Sequence, residues 1–281
     1  MGMPYRILLT LVICLLPVSV LAMRPFVTDD ARVIKKDQLE TETYIGATET
    51  HSSGASYELR SLAGLGLTDR FELVAGGTGL QYAQDKVTFQ DVIVQPKYVL
   101  LQSLGPIPSF AISSGILAPL NTLNKLTNDV KPWTTYQLAE MSWFLFSPQD
   151  GSDPYNNGLT VHLNLGTKGQ VSRGQWRNKV FWAGGFETQT FTPQVHMLAE
   201  VFNGDPFNYA EEFPAYQTGI RWYRNDHQQF DLVFRGISDG GHTDATGTET
   251  RRGWNYTMQI GVRIVLNDVW DWFKTDSTQH K

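Results

Sequence analysis

The sequence predicts an all-β protein: a transmembrane, antiparallel, up-and-down β-barrel of about twelve strands, with short periplasmic turns and longer extracellular loops. Three observations lead there. From Gln38 onward, apolar and polar residues alternate with period two, the spacing of a strand with two different faces. The alternating runs are about 10 to 14 residues long, whereas soluble strands average about five or six and a tilted bilayer-crossing strand needs about nine to eleven. The connections between runs alternate between short and long.

The first residues stand apart from this pattern. Arg6, the apolar run Ile7 to Leu16 and the small-residue end Val20-Leu21-Ala22 read as a secretory signal over residues 1–22, with cleavage expected after Ala22. Pro17 breaks the apolar run, which is shorter than the roughly 20 residues of a spanning helix. The single cysteine, Cys14, lies within this segment, and Ile13 before it is too bulky for a lipid-attachment site. A chain without it has no thiol for a disulfide, a zinc-thiolate site or an iron–sulfur cluster, and no cofactor is expected. Loss of residues 1–22 removes Arg6 and no acid, so the net charge of -5 becomes -6, which argues against nucleic acid as a partner. No later stretch of about 18 apolar residues is present to form a spanning helix. A membrane protein lacking one must be a closed barrel, because unpaired backbone groups in lipid cost several kcal/mol each.

Residues 23–37 are expected to form a periplasmic leader or small plug, 38–266 the barrel and 267–281 a periplasmic tail. The runs within the barrel are Gln38 to Thr50, Ala55 to Thr68, Arg70 to Gln84, Asp91 to Gln102, Pro108 to Leu120 and Thr134 to Ser147. They continue with Gly158 to Gly166, Asn178 to Thr190, Pro193 to Asn203, Ala215 to Asn225, Gln229 to Asp239 and Gly253 to Leu266. With a periplasmic N-terminus, the periplasmic connections are 68–70, 103–107, 147–157, 191–192 and 226–228, of which only 147–157 is long. The opposite set, 121–133, 167–177, 204–214 and 240–252, is uniformly about a dozen residues long.

The last run shows the two faces clearly. Trp254, Tyr256, Met258, Ile260, Val262 and Ile264 share one side, while Asn255, Thr257, Gln259 and Arg263 share the other. A one-residue slip would place Arg235 or Arg263 in hydrocarbon at about 2 to 4 kcal/mol each near the midplane, so the register is specified. Trp133, Tyr136, Trp143, Trp182, Trp222, Tyr223, Trp254 and Tyr256 fall near run ends, where a barrel places its aromatic girdles. A soluble β-sandwich would also alternate with period two. The run lengths and connection asymmetry weigh against it.

The start Arg24-Pro25-Phe26-Val27-Thr28-Asp29-Asp30-Ala31-Arg32-Val33 is followed by Gly66-Leu67-Thr68-Asp69-Arg70-Phe71-Glu72-Leu73 and Gln95-Pro96-Lys97-Tyr98. Further on come Val161-His162-Leu163-Asn164-Leu165-Gly166, Ala199-Glu200-Val201-Phe202 and Thr218-Gly219-Ile220-Arg221-Trp222. In order and spacing, across most of the chain after the signal, these resemble the MetA-pathway of phenol degradation family of outer-membrane proteins. The resemblance implies a transporter-like barrel in the outer membrane of a Gram-negative bacterium, with aromatic compounds among its solutes.

Consistent alternation turns Glu40, Glu42, Glu58, Arg60, Glu72, Lys97, Glu140, His162, Glu187, His196, Glu200, Arg221, Asp231, Arg235 and Arg263 inward. Glu58, Arg60, Glu72, Lys97, Glu140, His162, Glu187, Glu200, Arg221, Asp231, Arg235 and Arg263 are the pore-lining candidates, and the set predicts a polar interior. Asp29, Asp30 and Arg32 are the plug candidates. About twelve strands leave a narrow lumen, between the side-chain-filled interior of eight and the aqueous channel of sixteen. The expected partners are outer-membrane lipid and lipopolysaccharide, the barrel-assembly machinery and a small-molecule solute.

Other chemistry has weak support. His51-Ser52-Ser53-Gly54 faintly resembles the His and Ser arrangement of outer-membrane phospholipase A but lacks the following Asn. His162, His196, His227, His242 and His280 have no metal-ligand spacing, so no metal is expected. Gly76-Gly77-Thr78-Gly79 lies within a run and marks a bend rather than a phosphate loop. The reading is a non-enzymatic channel, with a closed structural or adhesion barrel and a membrane-embedded lipid hydrolase as the alternatives.

Overall fold

In a computed structural model of the chain, the described residues are 26–50, 54–83, 86–88, 91–102, 107–120, 133–145, 158–172, 175–190, 192–205, 215–239 and 253–269. The expected signal with Cys14, the His51-Ser52-Ser53 turn, the 147–157 connection, His242 and His280 lie outside them, as does the tail beyond residue 269. The strands are β1 (Leu39–Thr50), β2 (Gly54–Thr68), β3 (Phe71–Ala83), β4 (Lys86–Thr88), β5 (Asp91–Leu101), β6 (Ser109–Pro119) and β7 (Thr134–Phe144). They continue with β8 (Leu159–Ser172), β9 (Gln175–Gln189), β10 (Val195–Asn203), β11 (Ala215–Asn225), β12 (Gln228–Asp239) and β13 (Gly253–Leu266).

All thirteen belong to one antiparallel sheet. The three-residue β4 pairs only with the far end of β3, through Gln81↔Thr88 to Ala83↔Lys86, so the other twelve form the ring. Each pairs with its chain neighbour, and β13 returns to β1 in the register Leu39↔Leu266 to Glu49↔Tyr256. The sheet therefore closes, and closure leaves no long edge strand to pair with another chain.

The polarity of the wall is inverted relative to a soluble sheet. On β13, Gln259 is 2% exposed and the next residue, Ile260, is 55% exposed. The same contrast runs along β5, where Gln95 and Lys97 are buried while Val94, Tyr98 and Leu100 are exposed, and along β12, where Asp231 and Arg235 are buried between exposed Leu232 and Phe234. A sandwich buries its apolar face, so the polar-in, apolar-out arrangement excludes that reading. It is the pattern of a barrel whose outer surface meets hydrocarbon.

Three sequence expectations are corrected. The 167–177 connection is mostly strand: β8 runs to Ser172, β9 starts at Gln175, and Lys168↔Lys179 and Gln170↔Arg177 continue the ladder. Trp176 to Val180 are all exposed, so this part of β9 lacks the buried–exposed alternation that marks the rest of the wall. Tyr136 and Tyr223 do not belong to the outer girdles. Each shares the inward register of its strand and uses its hydroxyl there, Tyr136 donating to Gln95 at 2.5 Å and Tyr223 to Glu187 at 2.8 Å. Trp133, Trp143, Trp182, Trp222, Trp254 and Tyr256 are exposed. Last, the interior is not uniformly polar. Leu62, Val74, Ile93, Leu117, Tyr136, Leu138 and Phe181, from β2, β3, β5, β6, β7 and β9, form one buried inward-facing cluster.

The glycine-rich stretch of β3 marks an irregularity in the ladder. Pairing with β2 steps from Leu59↔Leu80 to Arg60↔Thr78, leaving Gly79 as an extra residue. Gly77, at φ 159°, sits so close to β5 that a Cβ would collide with the Asp91 carbonyl.

Candidate functional site

Residues 26–38 carry no regular structure, and their polar backbone must find partners elsewhere. Those partners lie on the inner wall. Asp37 N–H donates to the Gly66 carbonyl at 3.1 Å, and Gly66 N–H donates to the Gln38 carbonyl at 3.0 Å. Ile34 N–H donates to Glu72 on β3 at 2.7 Å, and Ala31 N–H to Ser142 on β7 at 2.8 Å. On β10, Glu200 accepts from Val27 N–H at 2.7 Å and Thr28 N–H at 2.8 Å. Phe26 completes the path, packing with Leu198 and Val233 and lying 5.7 Å beneath the Arg221 guanidinium. The segment thus runs inside the barrel from the β2–β3 wall to the β10–β12 wall.

The wall is recessed to receive it. A Cβ on Gly66 would collide with the Lys35 and Ile34 carbonyls, and one on Gly64 with the Ile34 side chain. On the far side, Gly185 leaves room for Glu200 and Thr28. At Gly66 the missing side chain lets backbone approach backbone.

Charged side chains fall into networks in which one cation serves two carboxylates. Lys97 contacts Asp29 at 2.8 Å and Glu140 at 2.9 Å, donates to the Asp30 carbonyl, and is fully buried; Ser113 donates to Glu140 at 2.6 Å. Arg221 bridges Glu187 at 2.8 Å and Asp231 at 2.9 Å, with His196 Nδ1 also 2.8 Å from Glu187. Arg263 pairs with Glu40 and lies 3.8 Å from Glu42. Burying such groups is costly unless they are paired, and the pairing here reaches across the lumenal face: from β5 to β7 and to the 26–38 segment at Lys97, from β11 to β9 and β12 at Arg221, and from β13 to β1 at Arg263.

The remaining candidates make other contacts. Arg235 donates to Gln217 at 2.7 Å, meets Asp205 at 3.2 Å and stacks over Phe202. Arg60 is buried 5.7 Å from the Tyr44 ring centre, and Glu58 is half-buried within reach of Gln259. His162 Nδ1 shares a 2.9 Å hydrogen bond with Ser142. Within the segment, Arg32 pairs with Asp30 at 2.6 Å. Burial alone would raise the Asp30 carboxyl, but Arg32 and Lys97 outweigh it and hold the group well below its ordinary value. A cavity of about 180 Å³ remains between segment and wall, lined in part by Arg32, Glu42, Glu72, Arg221 and Arg263. Sites for drug-sized ligands span about 300–1,000 Å³, so only a small solute fits beside the seated segment.

Sequence reasoning missed Lys168 and Asp205. Lys168 lies in the 167–177 stretch read as loop, and donates to the Asp205 carbonyl at 3.0 Å. Asp205 follows Gly204, whose φ of 88° turns the chain after β10. That glycine was the available signal.

No protein-family model matches the chain, and no curated protein matches it in sequence. Solved structures do match in shape. An outer-membrane channel from Pseudomonas putida F1 aligns over 87% of this chain and 100% of its own, at 10% identity and a TM-score of 0.51. A KdgM porin in complex with disordered oligogalacturonate aligns over 80% of this chain and 98% of its own, at 10% identity and a TM-score of 0.50. At that identity the likeness concerns architecture, and in architecture the chain is a closed, twelve-stranded outer-membrane-type β-barrel.

Proposed function

We propose that this chain is a channel of the Gram-negative outer membrane, exported through residues 1–22, that passes small solutes, with apolar and aromatic ones favoured, past a plug formed by residues 26–38. The observation that carries the reading is the division of the inner wall. The inward apolar cluster of Leu62, Val74, Ile93, Leu117, Leu138 and Phe181 is packed on itself, so an apolar solute would pass by parting these side chains and replacing their contacts, whereas a lumen packed only with charge would have to give up ion pairs. Elsewhere polar groups of the wall hold the 26–38 segment across the lumen: of the plug candidates, Asp29 pairs with Lys97 on the wall and Asp30 offers its carbonyl to the same amine, while Arg32 pairs with Asp30 within the segment. The pore-lining role falls to Glu58, Arg60, Glu72, Lys97, Glu140, His162, Glu187, Glu200, Arg221, Asp231, Arg235 and Arg263. The resemblance to the MetA-pathway of phenol degradation family supports the same solute class. This reading assigns no catalytic step and no cofactor. Its partners are outer-membrane lipid, lipopolysaccharide, the barrel-assembly machinery and the solute.

A barrel whose lumen stays shut is the second reading, favoured by the small size of the cavity left beside the segment. Planar-bilayer conductance and liposome uptake of a neutral aromatic separate the two. The channel reading expects higher conductance and faster uptake when Arg24 to Asp37 are deleted from the full chain. Equal, near-zero values for both proteins would leave the shut barrel standing.

A further inference from the structure

Among the described residues, only two that are not glycine adopt a left-handed backbone: Asp37 at φ 66° and Asp268 at φ 53°. Asp and Asn tolerate this region better than most residues, yet it is sparsely populated and persists where the surroundings impose it. The two positions are far apart in sequence and meet in space. Asp37 ends the lumenal segment just before β1, and Asp268 follows β13, which is the strand that closes the ring against β1. Val269 N–H donates to the Asp37 carbonyl at 3.1 Å, and Gln38 Nε2 donates to Asn267 Oδ1 at 2.8 Å. On its other side, Asp37 N–H is held by Gly66. Val269 is itself buried.

From this junction we infer that residues Asn267–Val269 are a latch: they grip the base of the 26–38 segment and set how readily it leaves the lumen. The inference rests on the plug reading above. The grip is mechanically specific. The left-handed turn at Asp268 redirects the chain leaving β13 so that the next N–H points back at Asp37. The left-handed turn at Asp37 presents its carbonyl to that N–H while its own N–H faces Gly66. With Val269 withdrawn, Asp37 would keep its own turn, closed by Gln38 N–H on the Lys35 carbonyl at 3.1 Å, and its bond to Gly66, but would lose its backbone tie to the chain leaving β13, and the segment could swing about that point. The wall contacts farther in, at Glu72, Ser142 and Glu200, belong to the segment and not to its base, so the latch acts on the rate of release without altering the seat.

The test uses the full chain with Cys14→Ser and a reporter Val33→Cys, reconstituted in liposomes and labelled with a maleimide. Val269→Pro removes the N–H donor and disfavours the left-handed backbone at Asp268. Asn267→Ala removes only the side-chain acceptor. The lost backbone hydrogen bond and a relaxed turn should speed labelling of residue 33 about tenfold in Val269→Pro, and the lost side-chain bond about fivefold in Asn267→Ala. Asp226→Ala, on the exposed β11–β12 turn, should match the parent. Heat-dependent gel mobility reports whether each barrel is folded; if Val269→Pro is not, Asn267→Ala carries the test. Folded latch variants labelled at the parent rate would overturn the inference. Faster labelling without a rise in conductance would leave the latch standing and overturn the plug reading.

Discussion

The Glu200 carboxylate on β10 accepts hydrogen bonds from the backbone of Val27 and Thr28, so one side chain fixes the innermost described part of a segment more than 170 residues away in sequence. Glu200→Leu should free that end while leaving the base seated at Gly66. Single-channel recordings are expected to show brief openings rather than steady conductance. Steady closure identical to the parent would count against Glu200 as the anchor.

Lys97 contacts both Asp29 and Glu140. Lys97→Met would leave two buried carboxylates without it, and breaking a buried pair in this way costs about 3–5 kcal/mol. Urea titration of the refolded barrel followed by tryptophan fluorescence should show a clear fall in midpoint. The double variant Lys97→Met, Glu140→Gln should recover part of it. No recovery would mean that the loss is one of packing.

Gly66 faces the Lys35 carbonyl so closely that no side chain fits between them. Gly66→Val is expected to expel the base of the segment with little effect on the ring, since the β1–β2 ladder runs from Thr50↔Gly54 to Leu39↔Leu65 and stops short of Gly66. Trypsin cleavage after Lys35 or Lys36 should accelerate, while the barrel core stays resistant. Unchanged cleavage would show that the wall yields instead.

Ile260 and Gln259 test the direction of the wall. Arginine at Ile260 faces the bilayer and should destabilise the folded barrel by about 2 to 4 kcal/mol if it lies near the midplane. Arginine at Gln259 faces the lumen and should change ionic conductance more than stability. A reversal of the two outcomes would contradict the assigned faces.

Solute class can be tested at Ile93 and Leu117, both buried in the lumenal apolar cluster. Asp at either position should slow liposome uptake of a neutral aromatic several-fold while leaving potassium conductance equal or higher. Parallel loss of both would point to a collapsed lumen instead of altered selectivity.

Strand number, register and the sidedness of most charged residues were legible in the sequence because lipid outside and polar groups inside impose a strict period of two. Arg235, Asp231 and Arg263 could face only one way without reaching hydrocarbon. The rule fails where its cause is missing. Lys168 to Arg177 read Lys-Gly-Gln-Val-Ser-Arg-Gly-Gln-Trp-Arg, polar and glycine-rich with no run of alternating apolar residues, and so a strand there looks like a loop. Tyr136 looks like a girdle residue because its ring is apolar, but its phenol group is satisfied by Gln95 in the interior. The apolar lumenal cluster hid for a related reason: around Ile93, flanked by Val92 and Val94, both faces are apolar, and alternation carries no signal. The path of residues 26–38 was beyond reach, since it is held largely by backbone groups meeting single side chains, a pairing without periodicity.

The pairing of β1 with β13 bears on how the molecule is made. Leu39 meets Leu266, so the contact that shuts the ring joins residues from nearly opposite ends of the described chain. Such a contact has the largest loop-closure entropy of any in the sheet and cannot form before the final strand is delivered. The lumenal segment, by contrast, reaches partners on β3, β7 and β10 that exist before closure. The order favoured by this topology is therefore a curved, open sheet that first collects its own N-terminal segment and then closes over it, so that each barrel is born with its interior already occupied.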